Sequence, residues 1–141
     1  MKRFYTHSPA ETEALAEKLC AQIGAGTAVA FTGTMGMGKT AFVRGALRAY
    51  RNPAFVSSPT FALVHDYGGT PRICHFDMYR VQSLDDLYST GFFDYLRDDS
   101  ILFIEWSEHI IDALPENTVF IDLQQGTGEN DRIITVRGGV F

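Results

Sequence analysis

The eight residues Gly33-Thr34-Met35-Gly36-Met37-Gly38-Lys39-Thr40 constrain this chain more than any other stretch. They read Gly-x-x-x-x-Gly-Lys-Thr, a spacing in which glycines clear side chains away so that main-chain N–H groups can wrap an anion. The lysine supplies a cation beside the outer phosphates of ATP or GTP, and the threonine hydroxyl supplies a magnesium ligand. Ahead of the loop lies Thr27-Ala28-Val29-Ala30-Phe31-Thr32, short, apolar and bounded by glycines, as a strand buried on both faces would be. Behind it, Lys39 to about Tyr50 places Phe42, Val43, Ala46, Leu47 and Ala49 along one side of a helix. Strand, glycine loop and helix in that order predict an α/β fold whose helix N-terminus points at bound phosphate. Gly33, Gly36, Met37, Gly38, Lys39, Thr40 and Ala41 are the expected phosphate-contacting stretch.

The remaining elements follow from caps, periodicity and turns. Ser8, Pro9 and Glu11 supply an N-cap, a proline in the first turn and a capping-box acid. Leu15, Leu19 and Ile23 give the resulting helix a buried face, with Gly24 and Gly26 as its stop. Phe61 to Tyr67 and Arg72 to Asp77 flank Gly68-Gly69-Thr70-Pro71 as a β-hairpin. Ser83 to Tyr88 and Phe92 to Leu96 read as two short helices, Ile101 to Ile104 as a buried strand ending in Glu105, and Glu108 to Ala113 as another helix. Thr118 to Leu123 and Arg132 to Val136 form a closing hairpin. The hairpins make the expected sheet mixed and partly antiparallel, with helices flanking it.

A phosphate loop that uses magnesium needs an acid near the metal, commonly at the end of a neighbouring apolar strand. Glu105 meets that description as a magnesium ligand, the holder of a metal-bound water, or the group orienting an attacking water. Asp77 is the second candidate, ending Ile73-Cys74-His75-Phe76, where alternation puts His75, Asp77 and Tyr79 on one face. Two acids and one threonine suit a hard cation that takes oxygen ligands. His75 is read as a hydrogen-bonded structural residue. Thr60, in Ser57-Ser58-Pro59-Thr60, is a candidate sensor of the last phosphate. Trp106 is a candidate cover for the nucleotide or a partner surface. Arg80 and Arg132 are possible phosphate or base contacts.

At 141 residues, a single domain covering residues 1–141 is expected. A net charge of −5 argues against tight binding to a nucleic-acid backbone by this chain alone, since such affinity comes largely from Lys and Arg on phosphates. No stretch approaches the roughly 20 apolar residues of a membrane span, and no secretory signal is visible, so a cytoplasmic protein without membrane partners is expected. Cys20 and Cys74 lie outside any metal-ligand spacing and are expected to be reduced and buried.

The order Gly-x-x-x-x-Gly-Lys-Thr, then Ser58-Pro59-Thr60-Phe61, His75-Phe76-Asp77-Met78-Tyr79-Arg80 and Glu105-Trp106 resembles the TsaE (YjeE) family of small bacterial ATPases. The resemblance implies an ATPase required for making threonylcarbamoyladenosine in tRNA, acting with a TsaB–TsaD pair that holds the tRNA and hydrolysing ATP to reset that complex. It puts Lys39 on the phosphates, Thr40 and Glu105 on magnesium and Asp77 close to the ion. It also implies Thr60 and Trp106 in hydrolysis or its coupling to partners, and Thr6 and Arg132 at the nucleotide's border. Two rival functions remain: a small-molecule kinase, which would need an acceptor pocket and an arginine-bearing lid, and a nucleotide-binding regulatory module without turnover.

Overall fold

The computed structural model describes residues 1–33, 38–54 and 64–139, with the backbone alone for His109. Seven strands form one mixed sheet: β1 (Lys2–Thr6), β2 (Thr27–Gly33), β3 (Val64–Gly68), β4 (Arg72–Asp77), β5 (Ser100–Glu105), β6 (Val119–Gln125) and β7 (Arg132–Arg137). Their spatial order is β1-β7-β6-β2-β5-β4-β3. The central four, β6, β2, β5 and β4, run parallel, so their C-terminal ends share one edge of the sheet. Antiparallel strands flank them: β7 and then β1 on one side, β3 on the other. The α/β class and the mixed sheet expected from sequence are the architecture observed.

Helices α1 (Pro9–Cys20) and α2 (Lys39–Ala49) cover one face. α1 begins as its cap chemistry dictates, with Ser8 Oγ accepting from Glu11 N at 3.1 Å. The glutamate's reciprocal bond goes one residue further back, to His7 N at 3.1 Å. The helix ends at Cys20, earlier than the glycines suggest. α1 and α2 meet closely at Gly45, where a β-carbon would stand 2.1 Å from Glu13 O. Beneath them, Phe31 sits edge-on to Phe42 at 5.5 Å and stacks on Phe103 at 6.0 Å, in a core that includes Ile73, Ile101 and Ile121.

The opposite face packs against α3 (Leu84–Ser89), α4 (Phe92–Tyr95) and a 3-10 helix, Ser107–Ala113, around Phe76, Phe92, Leu102 and Ile104. The 3-10 segment replaces the helix expected over Glu108 to Ala113; it is broken at Ile110, whose φ of −133° is non-helical. β1 is the one strand the sequence reading omitted. Cys20 and Cys74 are buried free thiols, each pushed up to about 12 chiefly by burial. Among the described residues no helix is long and apolar enough to cross a membrane.

Candidate functional site

The site is built where β2 hands the chain to α2. Gly33 closes β2 at φ +108°, and a β-carbon there would lie 2.2 Å from Leu123 O on neighbouring β6, so only glycine fits. Gly38, at φ +96°, is the N-cap of α2 and offers no side-chain cap. The first N–H groups of the 11-residue helix therefore stay open to an anion, and the helix dipole favours negative charge at the same place. Residues 34–37, which include the expected contacts Gly36 and Met37, lie outside the described residues, as does Thr60 with the rest of 55–63.

Lys39 is buried, 4% exposed, yet its ammonium is not sunk in apolar packing. Nζ donates to Gly33 O at 3.1 Å and stands 5.4 Å from the centre of the Trp106 ring. The lysine thus reaches from the start of α2 back to the end of β2. Trp106 immediately follows Glu105 and takes a left-handed backbone conformation, φ 58° and ψ 39°, as it turns the chain from β5 into the 3-10 helix. Such a conformation is costly for a large L-residue and concentrates at functional sites. Tyr79 packs against the indole at 5.0 Å. It does so from a turn beyond the end of β4, where Asp77 Oδ1 accepts from Tyr79 N at 2.9 Å, so the strand alternation has stopped before it.

Asp77 and Glu105 are register partners at the ends of β4 and β5, and partners in parallel strands project to the same face. That face is the one covered by α1 and α2, since Ile73, Ile101 and Phe103 lie in the core beneath those helices. Among the described residues no three His, Cys, Asp or Glu side chains are grouped to hold a metal by themselves. Magnesium is commonly held by one or two carboxylates, a hydroxyl and substrate phosphates rather than by an all-protein cage. Asp77, Glu105 and the partly exposed Thr40 carry oxygen groups of the kind such a set uses.

His75 lies beneath this pair, fully buried, with Nε2 2.7 Å from Glu105 Oε2. The approach is close but not aligned as a hydrogen bond: Nε2, Nδ1 and Glu105 Oε2 are all buried without a directed partner among the described residues. The hydrogen-bonded structural role expected of His75 therefore has no aligned hydrogen bond behind it among the described residues. Asp122, near the end of β6, was not singled out; it accepts from Thr32 Oγ1 at 2.6 Å.

Thr6 and Arg132 come together on the other flank of the loop. They pair between β1 and β7, and Thr6 Oγ1 bonds Thr12 Oγ1 at 2.8 Å. Arg132 lines a small cavity with Thr12, Asn130, Gly38 and Ala41, at the start of α2. Its Nη1 donates to the carbonyls of Glu129 at 2.7 Å and Asp131 at 2.9 Å. The Asp131 carboxylate accepts from Gly128 N at 3.0 Å and lies 2.9 Å from His7 Nδ1. The hydrogen bond and charge of Asp131 raise the His7 pKa, and His7 in turn lowers that of Asp131. Arg80 is exposed at the far side of the Tyr79 turn.

Comparison with known proteins agrees over nearly the whole chain. The family model described as Threonylcarbamoyl adenosine biosynthesis protein TsaE matches residues 6–134. The tRNA threonylcarbamoyladenosine biosynthesis protein TsaE of Treponema pallidum is 35% identical over 111 residues, covering 79% of this chain and 82% of that protein. Its counterpart of the same name in Bacillus subtilis is 29% identical over 134 residues, covering 94% and 83%. The crystal structure of Bacillus subtilis YdiB superposes with a TM-score of 0.76 at 25% identity, over 97% of this chain and 84% of that one.

Proposed function

The chain belongs to the TsaE family of tRNA threonylcarbamoyladenosine biosynthesis proteins, and on that premise we propose that it is the magnesium-dependent ATPase of that system. It binds ATP at Gly33 to Ala41 and hydrolyses the terminal phosphate to drive turnover of a TsaB–TsaD complex that itself holds the tRNA. Its place of work is the cytoplasm.

The observation that carries the reading is the convergence of Lys39, Trp106, Glu105 and Asp77 at the shared end of β2, β5 and β4. The backbone N–H groups at the start of α2 and the Lys39 ammonium hold the phosphates in a fixed orientation. Releasing Lys39 from Gly33 O and the indole face gives its ammonium to the outer phosphates. Magnesium, when bound, neutralises developing charge on the phosphate oxygens. Thr40, Glu105 and Asp77 would hold it. Glu105 also orients the water that attacks, and Thr60, which lies outside the described residues, is the sensor of the last phosphate. Trp106 covers Lys39 and limits access of bulk water. On the other flank, Thr6 and Arg132 border the nucleoside half.

The test is a tRNA-modification assay reconstituted with TsaB and TsaD, with and without this chain and its Lys39→Ala and Glu105→Ala variants. Repeated modification should require the parent chain and release free phosphate. Undiminished cycling without the chain would refute the role, a phosphorylated small molecule would favour a kinase, and binding without turnover under any condition would favour a regulatory module.

A further inference from the structure

His75 is an expensive residue for its position. Its strand neighbours Cys74 and Phe76 and its cross-strand partner Phe103 are buried, and it projects into the face that holds Ile73, Ile101 and Phe103. A leucine there would bury apolar surface without leaving two ring nitrogens to satisfy. The imidazole has no exposure, and neither nitrogen has a directed hydrogen-bond partner among the described residues. Glu105 Oε2 lies 2.7 Å from Nε2.

The contact divides the Glu105 carboxylate. Oε2 is turned inward to His75 and is itself buried, while the side chain as a whole keeps 14% exposure. Oε1 is left as the oxygen available to a cation. Groups that hydrogen-bond a ligating carboxylate fix its orientation, and their loss commonly costs about 10–100-fold in metal affinity. The 2.7 Å separation is within hydrogen-bond distance, so alignment rather than reach is what the pair lacks.

We propose that His75 is a positioning residue for Glu105: its buried Nε2 anchors Oε2, so that Glu105 presents Oε1 alone to magnesium, as a one-oxygen ligand. The proposal rests on the reading of Glu105 as a magnesium ligand given above. It assigns the histidine no contact with nucleotide or metal and no proton transfer to substrate.

The test compares His75→Gln, whose amide nitrogen reaches the place of Nε2, with His75→Leu, which fills the volume and donates nothing. ADP affinity is measured by calorimetric titration of the whole chain at a series of fixed Mg2+ concentrations and in EDTA, after thermal unfolding has established that each variant is folded. His75→Leu should raise the Mg2+ concentration at half-effect by about 10-fold or more. Its ADP affinity in EDTA should be unchanged, and His75→Gln should stay within about threefold of the parent. In a Glu105→Gln background His75→Leu should add nothing.

A Mg2+ midpoint for folded His75→Leu within twofold of the parent overturns the proposal while leaving the ATPase reading intact. Equal losses in the Leu and Gln variants overturn it too, because they indicate packing alone. If His75→Leu does not fold, His75→Gln decides: a raised Mg2+ midpoint in the folded amide variant counts against the proposal, and a preserved one supports it. A parent chain whose ADP affinity ignores Mg2+ removes the reading of the site itself and the proposal with it.

Discussion

Asp77 and Glu105 are register partners at the ends of two adjacent parallel strands, and their carboxylates leave the sheet on the same side, with backbones roughly 4.8 Å apart. They are not equivalent. Asp77 has one oxygen committed to Tyr79 N at 2.9 Å, whereas Glu105 Oε2 faces buried His75 at 2.7 Å and its backbone runs directly into Trp106, whose ring covers Lys39. Glu105→Gln should therefore lower partner-stimulated phosphate release by about 100-fold or more. Asp77→Asn should cost about tenfold, as expected of a group holding a metal-bound water. Phosphate release at saturating ATP and Mg2+ measures both, and equal losses would contradict this division.

Trp106 carries a backbone conformation that glycine adopts freely. Replacing the indole with alanine removes its packing and keeps the strain; replacing it with glycine removes both. Trp106→Gly should accordingly be more stable than Trp106→Ala by about 1 kcal/mol, the reverse of the order in a helix or strand interior. Urea unfolding of the two variants gives the comparison directly.

The contact between α1 and α2 depends on the missing side chain of Gly45. Gly45→Ala sets a methyl 2.1 Å from Glu13 O and 2.8 Å from the Ala16 β-carbon, so one helix must move. A loss of about 1–3 kcal/mol in denaturant unfolding is expected. Because α2 begins at the phosphate loop, nucleotide affinity should fall as well, although Gly45 lies on the second turn and touches no phosphate.

The His7–Asp131 pair makes stability depend on pH. The His7 pKa is raised on folding, by Asp131 first and by the charge of Glu11 in addition, so its contribution is full below the ordinary value of 6.5 and is lost as pH rises through the folded value. The Asp131 pKa is lowered, so its contribution is present above the ordinary 3.8 and fades as pH falls through the folded value. The difference in Tm between the parent and His7→Gln should be largest near pH 5.5 and shrink by pH 8.5. Both groups are solvent-exposed, so the effect should also weaken in high salt.

What the sequence revealed was what local chemistry decides. Ser8 and Pro9 announce α1, glycines bracket β2, and the run ending in Glu105 announces β5, because caps, breakers and continuous apolar runs act over a few residues. β1 was not legible: Lys2, Arg3 and Tyr5 are exposed, and the strand exists because Lys2 to Thr6 pair with Val136 to Arg132 across the length of the chain. For the same reason the grouping of Asp77 with Glu105 was an expectation about two strand ends, and the contact of His75 with Glu105 was hidden altogether. It follows from the register of β4 on β5, which no spacing within either strand encodes. Tyr79 shows the opposite error, alternation carried two residues past the point where Asp77 turns the chain.

The strand order also sets a timetable for biosynthesis. β2 launches the phosphate loop, yet its parallel neighbours are supplied by Ile101–Ile104 and Val119–Leu123, so Thr27 waits about seventy residues for its first partner. At elongation speeds of about 5–20 residues per second that delay is roughly 4–15 seconds, long enough for a nascent chain to present an unpaired, largely apolar strand to other chains. The strand that launches the proposed phosphate loop is made in the first quarter of the chain, yet it is held on both sides only once Val119–Leu123 has been made.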